Sequence, residues 1–100
     1  MFEKRTAYRN TAITEAAEGE VCTRCGDLDG TTVFAHFNYS WAGKGLSQKA
    51  DDCAGMFLCR ACHYVYDHPD AFEPTRFEDW EILRAYYRTL RRLLDRGILK

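Results

Sequence analysis

Phe57-Leu58-Cys59-Arg60-Ala61-Cys62-His63 is the stretch on which the reading of this 100-residue chain turns. It joins a short apolar run to a Cys-x-x-Cys pair, and the pair leads straight into a histidine. A second pair, Cys22-Thr23-Arg24-Cys25, stands upstream, with 33 residues between the two. Each pair forms a tight knuckle able to point both sulfurs at one ion, and two knuckles close a tetrahedral all-sulfur shell. Cys22, Cys25, Cys59 and Cys62 are therefore expected to hold a structural zinc. The zinc would brace a second site made by residues between and just after the knuckles, and function is sought there.

The bulk numbers agree with a single domain over residues 1–100. At 46% hydrophobic and 29% charged residues the composition is that of a globular protein. A chain this short buries a modest share of its surface, so a metal staple would supplement its core. The net charge of −1 creates no field that draws nucleic acid to the whole molecule, so any such attraction must come from a local patch. Five cysteines do not pair evenly into disulfides. No basic leader with an apolar run opens the chain, and no stretch approaches the roughly 20 apolar residues of a membrane span. A cytoplasmic setting and no membrane partner are expected. The fifth thiol, Cys53, is expected to be a small buried hydrophobe.

Residues 1–12 read as an extended or loosely docked arm. Thr14 to Glu18 favour a short helix ended by Gly19. Asp29-Gly30 reads as a hairpin-type turn, and Thr31 to His36 as a strand, on its β-branched and aromatic content. Residues 38–50, with two glycines and two lysines, read as a surface loop. Met56-Phe57-Leu58 reads as a second strand, and Cys62 to Asp67 as a helix ended by Pro69. A long amphipathic helix is expected over 75–96, with Thr75 and Glu78 as a capping box and Gly97 as its stop. Phe77, Trp80, Leu83, Tyr87, Leu90 and Leu94 recur on one face of it and are expected to pack on the core. The other face carries Arg84, Arg88, Arg91, Arg92 and Arg96. From Thr75 onward there are seven basic against four acidic residues. That face is either solvated or a phosphate contact.

His36 ends the first strand, where a neutral imidazole suits a general base. His63 and Asp67 are four apart on the helix, so they share a face and can hold a divalent cation with positions left for water and phosphate. Asp51 and Asp52, before the second strand, read as supporting carboxylates or as a turn. The order strand, loop, strand, helix predicts a ββα unit in which His36 faces His63 and Asp67 across a cleft. That layout suits one-metal hydrolysis of a phosphodiester.

Cys22-Thr-Arg-Cys25, Phe34-Ala35-His36-Phe37 and the Phe57-to-His63 stretch together resemble the HNH, or ββα-metal, endonucleases. The likeness is to the zinc-braced branch with two knuckles, among small phage and prophage nuclease-like proteins. It covers about residues 13–68, with the core motif in 20–68. The resemblance implies an α+β, zinc-stapled HNH (His-Me finger) domain acting as a DNA endonuclease. His36 matches the general base, and His63 with Asp67 the ligands of a catalytic Mg²⁺ or Mn²⁺. Lys44, Lys49, Arg84 and Arg88 are the expected DNA contacts. If phage-encoded, the protein would work in a host cytoplasm. A homodimer is left open. The chain departs from the family at Ala35, where many members carry a metal ligand, and near Ala54, where many carry an asparagine that orients the base.

Three other readings compete. A zinc-stabilised nucleic-acid-binding module, catalytically weak or inactive, would use the same cysteines and the arginine face. Cys59-x-x-Cys62-His63 also fits covalent haem attachment, which would leave Cys22 and Cys25 without a role. A redox dithiol would need a βαβ setting that the chain lacks.

Overall fold

A computed structural model describes residues 6–45, 48–70 and 76–99. Its elements are α1 (Thr11–Glu15), β1 (Val33–His36), a 3₁₀ turn (Ser40–Ala42), β2 (Gly55–Leu58), α2 (Arg60–Asp67) and α3 (Asp79–Asp95). The fold is a small α+β arrangement around one antiparallel strand pair, in which Phe34 faces Phe57 and His36 faces Gly55. Gly55 is required there. A Cβ at this position would lie 2.5 Å from both the Ala35 carbonyl and the Phe34 ring.

Side chains alternate across a strand, so β1 sends Ala35 to one side of the pair and Phe34 and His36 to the other. Ala35 packs with Met56, Leu58, Cys62 and Tyr66, which places α2 on its side. Phe57 packs with Ile13, Ala16, Ala17 and Leu93, with Phe34 against them, which places α1 on the opposite side. α3 runs along the outer edge of β2 and serves both cores, through Ala85 in the first and Leu93 in the second. Between these, the Thr89 hydroxyl accepts the Phe57 N–H at 3.0 Å and donates to the Ala85 carbonyl at 2.8 Å. The Phe57 carbonyl accepts from the Thr23 N–H and hydroxyl, both at 2.8 Å. The open edge of β2 is thus closed by a helix threonine and by the first knuckle, which leaves no free edge there to template pairing.

Several expectations are corrected. α1 begins at Thr11 rather than Thr14, because the Asn10 side chain caps it by accepting the Ala12 N–H at 3.0 Å. The arm before it is docked along its described residues. The Tyr8 carbonyl accepts the Asp52 N–H at 2.9 Å, and Arg9 donates to the Ala50 and Lys49 carbonyls. β1 starts at Val33. Asp29 instead forms a local turn in which its carboxylate accepts the Thr31 N–H and hydroxyl. α2 starts at Arg60, with Cys59 as its N-cap. Thr75 lies outside the described residues. α3 is capped by Glu78, whose carboxylate accepts from the backbone of Glu81 while the Glu81 carboxylate accepts the Glu78 N–H. Cys53 is exposed rather than buried.

The largest correction concerns α3. Its docked face is Ile82, Ala85, Tyr86, Thr89 and Leu93, whereas Trp80, Leu83, Tyr87 and Leu94 stand in solvent. The arginines explain the rotation. Arg88 donates to the Thr23 carbonyl at 3.1 Å, and Arg92 and Arg96 both pair with the buried Glu20 at 2.9 Å. A buried carboxylate must be paired, so Glu20 draws the arginine side of α3 toward the protein.

Candidate functional site

The four knuckle cysteines meet. One ligand atom from each of Cys22, Cys25, Cys59 and Cys62 lies within 4.8 Å of all the others, and Cys25 Sγ stands 3.7 Å from Cys59 Sγ. The edge of a sulfur tetrahedron built on Zn–S bonds of about 2.3 Å is about 3.8 Å, so the donor set is positioned to hold a metal ion and fits zinc. The first knuckle closes on itself through Gly26, whose N–H donates to the Cys22 carbonyl at 3.0 Å with φ at +83°. The second knuckle is formed by the end of β2 and the first turn of α2, so α2 leaves the sheet at an angle set by the sulfurs. Without a cation the thiols compete. A hydrogen bond from Cys62 draws Cys22 down to about 4 against its burial, and the same bond pushes Cys62 up. Burial raises Cys25 to about 11. Four sulfurs this close become thiolates together only around a positive ion.

His36 is held by a carboxylate. Its Nε2–H donates to Asp52 Oδ1 at 2.8 Å. Asp52 is buried, and its other oxygen accepts the Asn10 N–H at 2.7 Å, while Arg9 stands 3.6 Å away. Burial alone would raise the Asp52 pKa, but the His36 and Asn10 hydrogen bonds, with the charges of His36 and Arg9, hold it below the usual carboxylate range. An ionised Asp52 only accepts, so the hydrogen-bond network assigns a proton to Nε2, and in the neutral ring the lone pair is on Nδ1. The Phe34 ring packs edge-on against the imidazole at 5.0 Å. Sequence reasoning placed Asp52 near the site without giving it this task. The missed signal was the register: His36 opposite Gly55 puts the turn before β2 beside the imidazole.

His63 and Asp67 also pair, with Nε2 to Oδ2 at 3.2 Å across one turn of α2. They line a cavity of about 650 Å³ together with Asp29, Thr31, Arg60 and Tyr64. His36 is not among its walls. The structure therefore brings His63 to Asp67 but does not set His36 facing them. Cys62 and Tyr66 fasten α2 to the Ala35 side of the sheet, and strand alternation sends His36 to the other.

Of the expected DNA contacts, Lys44 and Lys49 are exposed on the loop after β1. Arg84 lies over its own Trp80 ring at 4.8 Å. Arg88 is committed to the Thr23 carbonyl, so it supports the first knuckle. No helix among the described residues is long and apolar enough to cross a membrane. No known protein family, curated protein or solved structure matches the chain.

Proposed function

We propose that this protein is a metal-dependent DNA endonuclease that hydrolyses phosphodiester bonds, with His36 as its general base and a structural zinc in the four-cysteine cluster. The observation that carries the reading is the His36–Asp52 pair at 2.8 Å. A buried carboxylate that fixes an imidazole leaves the second ring nitrogen ready to take a proton from water. It supplies what the missing mid-motif asparagine would otherwise supply, orientation of the base. His63 and Asp67 are the residues that the family likeness assigns to the catalytic cation, Mg²⁺ or Mn²⁺, and their separation from His36 is what the second reading below turns on. Such an ion, when bound, would supply Lewis-acid stabilisation of charge on the phosphate oxygens. Lys44 and Lys49, both exposed on the loop after β1, would meet the phosphate backbone. The sequence likeness to zinc-braced HNH nucleases points the same way.

A specific observation favours a second reading, a zinc-stabilised nucleic-acid-binding module that does not cleave. The histidine pair of the proposed reaction is split between two sides of the sheet. Plasmid nicking in Mg²⁺, Mn²⁺ or EDTA separates the two. The endonuclease reading expects metal-dependent nicking by the wild type, loss of about 10²-fold or more in His36→Ala, and unchanged DNA affinity. DNA binding with no nicking in any metal supports the module instead. A double reversal, Lys44→Glu with Lys49→Glu, is expected to weaken binding evenly across DNA sequences and to flatten its salt dependence.

A further inference from the structure

We propose that α3 is a dimer interface, pairing in parallel with α3 of a second copy of this chain. The inference stands on a different face from the histidine site and does not depend on the nuclease reading. Trp80, Leu83, Tyr87, Leu90 and Leu94 follow one another at steps of three, four, three and four. That is the spacing of a two-stranded coiled-coil seam, whereas a helix that only packs on its own core needs a broader stripe. The core of this protein takes a different face. Trp80 is 59%, Leu83 69%, Tyr87 63% and Leu94 51% exposed. Leu90, between Tyr87 and Leu94, is half-buried; four large apolar side chains at this exposure on one helix are unusual for a surface that stays in water.

The patch is wider than the helix. Leu83 shares a cavity of about 510 Å³ with Phe37, Tyr39 and Trp41. Trp41 is itself 67% exposed and stacks on Tyr39 with ring centroids 4.8 Å apart. An aromatic side chain carries about 150–250 Å² of surface, so Trp41, Trp80 and Tyr87 with the two exposed leucines present on the order of 500 Å² per copy. Doubled by symmetry, this reaches the roughly 1,000 Å² that specific association requires.

Charge selects both the occupant and its direction. With Trp80 and Tyr87 at equivalent seam positions, Asp79 and Arg84 flank the seam on opposite sides, five residues apart. In a parallel pair this is the spacing at which one helix's acid meets the other's base, and twofold symmetry makes the contact twice. Asp79 has no ion-pair partner among the described residues, and the Arg84 guanidinium lies over the seam's Trp80 ring at 4.8 Å, with its charge also felt by Glu81. An antiparallel pair would instead bring Arg84 toward Arg91 of the other copy, which repels. Tyr86 and Leu93, which repeat the Asp79 position at seven-residue steps, are docked on the core, so the body of each copy lies on the Asp79 flank of the seam.

Sedimentation velocity on the full zinc-loaded chain tests the interface. The expected mass is twice the 11.6 kDa of one chain. Leu83→Glu with Tyr87→Glu is expected to return single-chain mass, while far-UV circular dichroism and zinc content stay at wild-type values because both side chains are exposed. Wild type sedimenting as a single chain at about 0.1 mM, where even a micromolar interface is saturated, overturns the interface. Direction is tested by Leu83→Cys in a Cys53→Ser background. The parallel seam places the two introduced thiols at one level, so mild oxidation is expected to yield a covalent dimer. A non-covalent dimer that fails to cross-link overturns the parallel arrangement.

Discussion

Asp52 does two jobs that ordinarily fall to different side chains. It accepts from the His36 imidazole through one oxygen and from the Asn10 backbone through the other, so it orients the candidate base and also clips the N-terminal arm to the turn before β2. Its depressed pKa has a consequence of definite sign. A carboxylate held below its unfolded value of about 3.9 contributes stability that is fully present above that pH and is lost as pH falls through the lower folded value. Asp52→Asn is therefore expected to melt below wild type at pH 7, with the gap closing as pH drops below about 4. Thermal denaturation of both proteins between pH 7 and 3 checks this, and a gap that does not narrow would remove Asp52 as an ionised partner. Under the endonuclease reading the same variant also nicks more slowly, since its amide can turn its NH₂ toward the ring and leave the imidazole tautomer unspecified.

Among the elements, α3 is the one whose orientation matters most. Its hydrophobic periodicity is plain in the sequence, yet the face it docks is chosen by polar groups: Glu20 with Arg92 and Arg96, Arg88 on Thr23, and Arg24 bonded to Glu81 and stacked 3.8 Å over Phe77. Thr89 completes the seal by receiving a strand N–H that water cannot reach. Thr89→Val keeps the shape and removes the acceptor, leaving the Phe57 N–H buried and unpaired. The expected cost is about 1–3 kcal/mol, or a fall in Tm of about 4–8 °C for each kcal/mol in a domain of this size. Scanning calorimetry of the zinc-loaded protein measures it, and an unchanged Tm would mean that this bond contributes nothing net.

For the molecule as a whole, the four-cysteine cluster is the joint through which the parts communicate. The first knuckle binds β2 through Thr23 and α3 through Arg88, and the second is continuous with β2 and α2. Chelation, or Cys59→Ser, is expected to abolish the cooperative thermal transition rather than merely lower it. About one zinc per chain should be found by elemental analysis of the untreated protein. A sharp transition that survives chelation would show that the apolar cores hold the fold without the metal.

Local chemistry was readable from the chain itself: two knuckles from the spacing of four thiols, β1 from a β-branched and aromatic run, β2 from a short apolar run, α2 from the stretch between the second knuckle and Pro69, and α3 from three- and four-residue periodicity. Those features depend on neighbours along the backbone, and so does the His63–Asp67 pair one helical turn apart. The structure decided what depends on partners distant in sequence. It turned α3 so that a buried glutamate could reach two arginines, leaving the apolar seam exposed. It gave His36 a carboxylate 16 residues away. It also separated His36 from His63, because alternation along β1 and the sulfur-fixed exit of α2 place them on opposite sides of the strand pair. Residue spacing determines which side chains share an element's face; only the packing of one element on another determines which faces meet.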